Sequence, residues 1–306
     1  MFRSRSRAES LANHLIAEEP AFADQKETLV ALFEGDISPT ALPDAFVASR
    51  RRRTEAIWSD GRAAWNRFAA GRLKLMRRAG GDAALVSAFQ EIFAADFGGR
   101  TFARDLDVAD AIFPGHVVLD HATIGGSLRL DHINAMAEVR AEGVRVAREI
   151  TGEQSQFVGP VKFDGARISG AMRLSHSLFA SDVHFDGVSV EREMWLRHAT
   201  FNGVVQIRSA IFARDVSLGA MYGGIVILSG TRFEDTVSME DAEFREGLDI
   251  SGCQFDGILI LDHMSLRGPV FMGGARFAGV IRPNLEVLSR FAADGSDWSN
   301  VRPLRR

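Results

Sequence analysis

The sequence predicts a repeat β protein, a solenoid of short strands, preceded by a helical region. Three observations carry this. Apolar residues recur every 11 residues from Phe102 to Phe277. The chain changes charge and pattern near residue 100. Its aromatics include 22 Phe against one Tyr, an apolar set suited to filling space. The 306 residues carry a formal charge of −4 and a single Cys, which excludes a disulfide framework and a cysteine-rich zinc site.

Taken in chain order, the start is basic through Arg3, Arg5 and Arg7. Glu9, Asn13, His14, Glu18 and Glu19 then break the apolar stretch that a secretion signal needs. No stretch reaches about 18 apolar residues, so no bilayer span is expected. The expected location is the cytoplasm, and the unpaired Cys253 agrees with a reducing compartment.

Residues 1–97 read as a helical N-terminal region. Residues 1–100 hold 15 Lys and Arg against 13 Asp and Glu, whereas the rest hold 21 against 27. A short helix is expected over 25–34 and a loop from Asp36 to Pro43. A helix over 55–78 would set Trp58, Trp65, Phe68, Leu75 and Met76 along one side, with Gly61 and Gly71 against it. Asp82 can cap a segment with Leu85, Phe89, Ile92 and Phe93 at helical spacing. This segment, 82–97, is expected to cover the first coil.

Residues 98–281 carry the repeat. Every step between Phe102, Phe113, Ile124 and their successors is 11 residues, except Phe212 to Tyr222, which is 10. Four residues after each start the side chain is apolar in 16 of 16 cases, where the composition would supply about seven. Two residues before the next start it is usually small, as at Ala166, Ala199 and Cys253. An 11-residue period also suits a right-handed coiled coil. The internal offsets of 0, 4, 6 and 9 reject it, because they mark no single helical face. Pairs such as Val161 with Phe163 alternate in and out, as short strands do. Dipeptides such as Asp164-Gly165 and Asn202-Gly203 separate them as turns.

The units Val161 to Ile168 and Val237 to Phe244 resemble the pentapeptide-repeat family, whose motif sets a small residue two before a Leu or Phe in five-residue steps. This chain alternates steps of five and six, and the resemblance covers about residues 102–280. It implies a right-handed quadrilateral β-helix with two 11-residue units per coil. Starts two units apart should then stack. One ladder reads Ile124, Val146, Ile168, Val190, Phe212, Phe233, Phe255 and Phe277, and another Phe157, Phe179, Phe201, Tyr222 and Phe244. A narrow coil offers a hydroxyl no partner, which explains Phe in place of Tyr. Residues 282–306 are expected as a C-terminal cap and basic tail. There Leu285, Val287, Leu288 and Phe291 form a short helix, or else the last coils meet a second copy in a homodimer.

The fold class is therefore mainly β, with an α-helical N-terminal region and a short helical C-terminal cap. Several features are candidates for function. Five histidines share one turn position: His121, His132, His176, His198 and His263. The bland reading is that turns favour polar residues; the sharper one is a metal or acid–base site. The outward row Thr123, Arg145, Arg167, Ser189, Ile211, Arg232, Gln254 and Arg276 makes one face mildly basic. Residues 45–80 have net charge +8, with Arg50, Arg51, Arg52, Arg53, Arg72, Arg77 and Arg78 interleaved by Trp58 and Trp65. They fit an anionic membrane surface, or a helix packed on the coils. An acidic band over 234–262 includes Glu240, Asp241 and Glu243. Trp195, Ile211, Ile227, Ile260 and Phe271 fall at outward positions.

No nucleotide loop, nucleophile elbow, metal-ligand motif or paired-carboxylate pattern occurs, so neither enzymatic activity nor a cofactor is expected. The expectation is a scaffold that binds a protein partner through the coil surface and the basic helix, without direct nucleic-acid binding. The family resemblance implies a rival, since some members mimic DNA and bind a type II topoisomerase, gyrase. A further rival is a β-helix enzyme using turn histidines, although β-helical acyltransferases follow a six-residue repeat.

Overall fold

A computed structural model describes residues 5–38, 41–78, 81–282 and 302–303. The expected C-terminal helix around Leu285 to Phe291 lies outside the described residues. Two compact units divide the chain. One holds the described residues up to Phe97 together with Ala111–Val118 and Ala135–Ala137. The other holds Gly98–Asp110, Leu119–Asn134 and the described residues from Glu138 onward.

The first unit contains five α-helices: α1 (Arg5–Glu18), α2 (Lys26–Glu34), α3 (Asp44–Ser59), α4 (Arg62–Arg78) and α5 (Ala83–Ile92). α1 is an addition to the sequence reading. Its charges, which break a signal peptide, leave Ala8, Ala12 and Leu15 on one buried stripe. The single helix expected over 55–78 is two helices. Gly61 takes φ +87°, a left-handed value that glycine adopts at no steric cost, and this ends α3. Asp82 caps α5 through a bond from the Leu85 N–H at 3.3 Å. That helix stops at Ile92, short of 97, because Ala95–Asp96 is already a strand. The core joins Leu15, Phe22, Leu29, Phe33, Phe46, Leu85, Phe89 and Phe93.

The strands of this unit have edges that need partners, and α3 and α4 supply them. The Trp65 indole N–H donates to the Ile112 carbonyl at 2.9 Å, and the Ile112 N–H donates to Asn66 Oδ1 at 3.0 Å. The Asp96 N–H donates to Thr54 Oγ1 at 3.1 Å. Trp58 packs edge-on against Phe97 and stacks on Phe113. The segment expected over 82–97 also meets these strands, since the His116 N–H donates to the Gln90 carbonyl at 3.1 Å, and α3 and α4 add to that cover.

Strands of two residues follow at regular intervals. Each pairs in parallel with the strand four places later, and Arg302–Pro303 adds to the edge strand Val280–Arg282, which makes four sheets of nine, nine, ten and eight strands among the described residues. The protein is thus a β-solenoid of about nine turns. In the second unit the register is 22 residues, as in Arg145↔Arg167, Ile150↔Met172, Gln156↔Leu178 and Val161↔Val183, and 21 for pairs that span the short step, as in Val205↔Val226. The visiting order within a turn sets the names used below. Val161–Lys162 lies in the first sheet, Arg167–Ile168 in the second, Met172–Arg173 in the third and Leu178–Phe179 in the fourth.

Both expected ladders form inside this unit. Phe157, Phe179, Phe201, Tyr222 and Phe244 stack with ring centroids 4.6–5.1 Å apart. Phe212, Phe233, Phe255 and Phe277 stack at 5.0–5.4 Å. Aromatic rings one turn apart are thus held face to face by the strand spacing itself. Phe271 is the outward exception, at 49% exposure.

The 10-residue step has a structural place. Corners joining the third and fourth sheets normally hold four residues, as in 196–199, but Leu218–Gly219–Ala220 holds three. The Ala220 N–H then reaches back only to Leu218 O, at 2.7 Å. The Tyr222 hydroxyl donates to that same carbonyl at 3.1 Å. The one Tyr of the chain therefore does have a partner, supplied by the shortened corner, and this corrects the view that the coil offers a hydroxyl none.

Candidate functional site

The turn histidines occupy one conformation. His121, His132, His176, His198 and His263 all have φ between 56° and 60°. Each four-residue corner needs a residue in this left-handed region, and glycine fills it at Gly143, Gly165 and Gly187. Among other residues, Asn, Asp and His are enriched there. The neighbouring aspartates serve the backbone: Asp120 Oδ1 accepts from the Glu142 N–H at 3.1 Å, and Asp131 Oδ1 from the Glu153 N–H at 2.9 Å. His176 and His198 stack at 5.0 Å, as a coil spacing dictates. The position is explained by backbone geometry. Replacing His176 and His198 by Gly should leave the urea unfolding midpoint unchanged or raise it. Replacing either by Val should cost about 1–2 kcal/mol. Equal stability of the Val and Gly variants would overturn this account.

The basic segment is divided. Arg50 is 3% exposed and Arg53 is 5% exposed. Arg50 bonds Glu91 at 2.7 Å and Asp96 at 2.8 Å. Arg53 bonds Glu19 at 3.1 Å and the carbonyl oxygens of Ile92 and Ala94. Arg72 pairs with Glu18 and Glu19 and lies over the Phe68 and Phe93 rings. Trp65 is fully buried and Trp58 is half-buried. Arg50, Arg53 and Trp65 are thereby held inside the unit, while Arg72 and Trp58 stay half-buried. Arg51 is exposed but donates to Asp96 at 3.2 Å, and Arg52 donates to Ser49 at 2.8 Å. Arg77 stays exposed, with Arg67 and Lys74 on the same helix. The side chain of Arg78 lies outside the described residues.

The outward row of the second sheet is exposed at Arg145, Arg167, Ile211, Arg232, Gln254 and Arg276 and half-buried at Thr123 and Ser189. Arg145 and Arg167 are direct neighbours in the ladder. Like charges opposite each other destabilise a sheet, and neither has an ion-pair partner among the described residues. Arg276 is exposed on the same row, whereas Arg232 pairs with Asp256 at 3.0 Å. No acidic residue stands on this row from Thr123 to Arg276.

The acidic band wraps around its coils and does not line one side. Glu240 and Asp241 sit at a corner, Glu243 on the fourth sheet and Asp249 on the first. Much of it is already paired. Glu243 contacts Arg245 at 3.2 Å and Arg267 at 2.7 Å, and the Arg245 hydrogen bond holds its carboxyl below the usual range. Asp262 meets Arg282 at 2.6 Å.

Trp195, Ile211 and Phe271 are exposed, at 39%, 47% and 49%, while Ile227 and Ile260 are half-buried. The Arg173 guanidinium lies 5.0 Å from the Trp195 ring. Cys253 is buried, donates to the Leu228 carbonyl and has its thiol pushed up to about 12 by burial, so it is a corner-filling group. Among the described residues no helix is long and apolar enough to cross a membrane.

Sequence reasoning missed a row at the corner between the second and third sheets. Stepping by 22 residues, it reads Arg104, Gly126, Arg148, Gly170, Arg192 and Arg214. The signal lies at the coil period, at a corner position outside the strands.

No family model, no curated protein and no solved structure matches the chain, so its relationships rest on the four-sheet solenoid itself.

Proposed function

We propose that the chain is a pentapeptide-repeat-type scaffold, without catalytic activity, that binds a protein partner along the second-sheet face of the solenoid. The observation that carries this is the Arg145–Arg167 neighbour pair, exposed and unpaired on a row without acid. Two adjacent guanidinium groups repel each other in the free protein, and an acidic partner surface relieves that cost. Two-residue strands fixed by neighbours above and below hold the side chains in rigid register, which limits the entropy lost on binding. The alternation of small and Leu or Phe positions at five- and six-residue steps supports the family assignment.

The test compares the full-length protein with its Arg145→Glu, Arg167→Glu double variant, each recovered from native cells after cross-linking. A protein that copurifies with the wild type and is lost from the variant, at unchanged melting temperature, is the expected result. An identical set of copurifying proteins would sink the reading.

A further inference from the structure

The corner between the second and third sheets carries three arginines alternating with two glycines, one residue per coil: Arg104, Gly126, Arg148, Gly170 and Arg192. Coils lie about 4.8 Å apart, so successive arginines stand about 9.6 Å apart with a bare backbone between them. The glycines are required there. A Cβ at 170 would overlap the Arg148 carbonyl oxygen, and one at 126 would overlap Asp105.

Two depressions follow from this spacing. One, of about 540 Å³, is bounded by Arg148, Ser169, Gly170 and Arg192. The other, of about 530 Å³, is bounded by Arg104, Gly125, Gly126 and Arg148. Arg104, Arg148 and Arg192 are exposed and have no ion-pair partner among the described residues. By contrast, the neighbouring Arg129 and Arg173 are held by Asp105 at 3.3 Å and Glu149 at 2.7 Å. The ladder of free cations ends at Arg214, which meets Asp235 at 3.9 Å. Glu193 is the other carboxylate at the edge of the larger depression. The lining of that depression then holds Arg129, Arg148, Arg173 and Arg192 against Glu149 and Glu193, a surplus of two positive charges.

The geometry points to a phosphate-binding site at Arg148, Gly170 and Arg192, with Arg104, Gly126 and Arg148 as an adjoining second seat. A tetrahedral phosphate accepts bidentate hydrogen bonds from guanidinium groups, and two arginines about 9.6 Å apart at the backbone converge on one anion through their flexible stems. The glycine between them lets the anion approach the corner. This site uses a different row from the strand face proposed above, and each stands or falls by its own variants.

The test titrates the full-length protein with inorganic phosphate by calorimetry. In parallel, it measures flotation with phosphatidylcholine vesicles that contain or lack phosphatidic acid. Saturable binding of phosphate assigns a soluble ligand. Binding only to phosphatidic acid vesicles assigns a lipid headgroup. In either case Arg148→Gln, which removes a group shared by both seats, should weaken binding about tenfold or more. Arg208→Gln, an exposed arginine at a corner between the first and second sheets, should change it little. Absence of binding on both arms, or equal losses from Arg148→Gln and Arg208→Gln, would overturn the site.

Discussion

Arg50→Ala is expected to destabilise the helical unit by about 3–5 kcal/mol. The side chain is 4% exposed and pairs with Glu91, also 4% exposed, and Asp96, which is fully buried. Removing the guanidinium leaves two carboxylates without their main cation in a site that water does not reach. Such uncompensated burial costs far more than the intact pair contributes. Guanidinium chloride unfolding followed by Trp fluorescence reads this directly, because Trp58 and Trp65 both belong to this unit. Arg52→Ala is the matched control. Its guanidinium is exposed and bonds Ser49, so a change within about 0.5 kcal/mol is expected. Equal effects of the two substitutions would refute the division of the arginine run into a buried and an exposed half.

The second large effect is Phe201→Ala, expected to cost about 3–5 kcal/mol in unfolding of the solenoid unit. Phe201 is fully buried between Phe179 at 4.6 Å and Tyr222 at 5.1 Å. Each coil touches only its neighbours, so the cavity cannot be shared around a globular core. The strand spacing also prevents the coils above and below from collapsing into it. Phe201→Leu keeps most of the volume and should cost about half as much or less. A loss below about 1 kcal/mol for the Ala variant would mean that the coils repack, contrary to the rigid register described above.

The solenoid was legible in the sequence because its information is local and repeated. One strand pair reveals the inward positions, and a 22-residue step shows which of them stack. Phe157, Phe179 and Phe201 could be ordered without any structure. The part that α3 and α4 play in covering the strand edges was not legible. Arg50 looks like its exposed neighbour Arg52 in sequence. Only the fold brings it to Glu91 and Asp96, 41 and 46 residues away. A run of arginines therefore reads as a solvated face until its distant carboxylates are located. The histidines fall between these cases. Their recurrence was visible, but its cause is a backbone angle that no side-chain pattern records. The Arg–Gly corner row was accessible by the same 22-residue step that ordered the phenylalanines, yet a three-residue corner lacks the turn dipeptides that mark the four-residue ones.

The three-residue corner at Leu218–Ala220 has a consequence for how such a chain changes length over evolution. Strands on both sides of it keep their partners: Val216 pairs with Val237, and Met221 pairs with Glu243. The missing residue is absorbed where it was lost and is not passed along the molecule. Loss of one residue inside a two-residue strand would turn an inward side chain outward and break the frame of that coil. In-frame deletions and insertions are thus filtered by position. Corners act as genetic slack, and descendants of one ancestral array are expected to differ in corner length long before they differ in strand count.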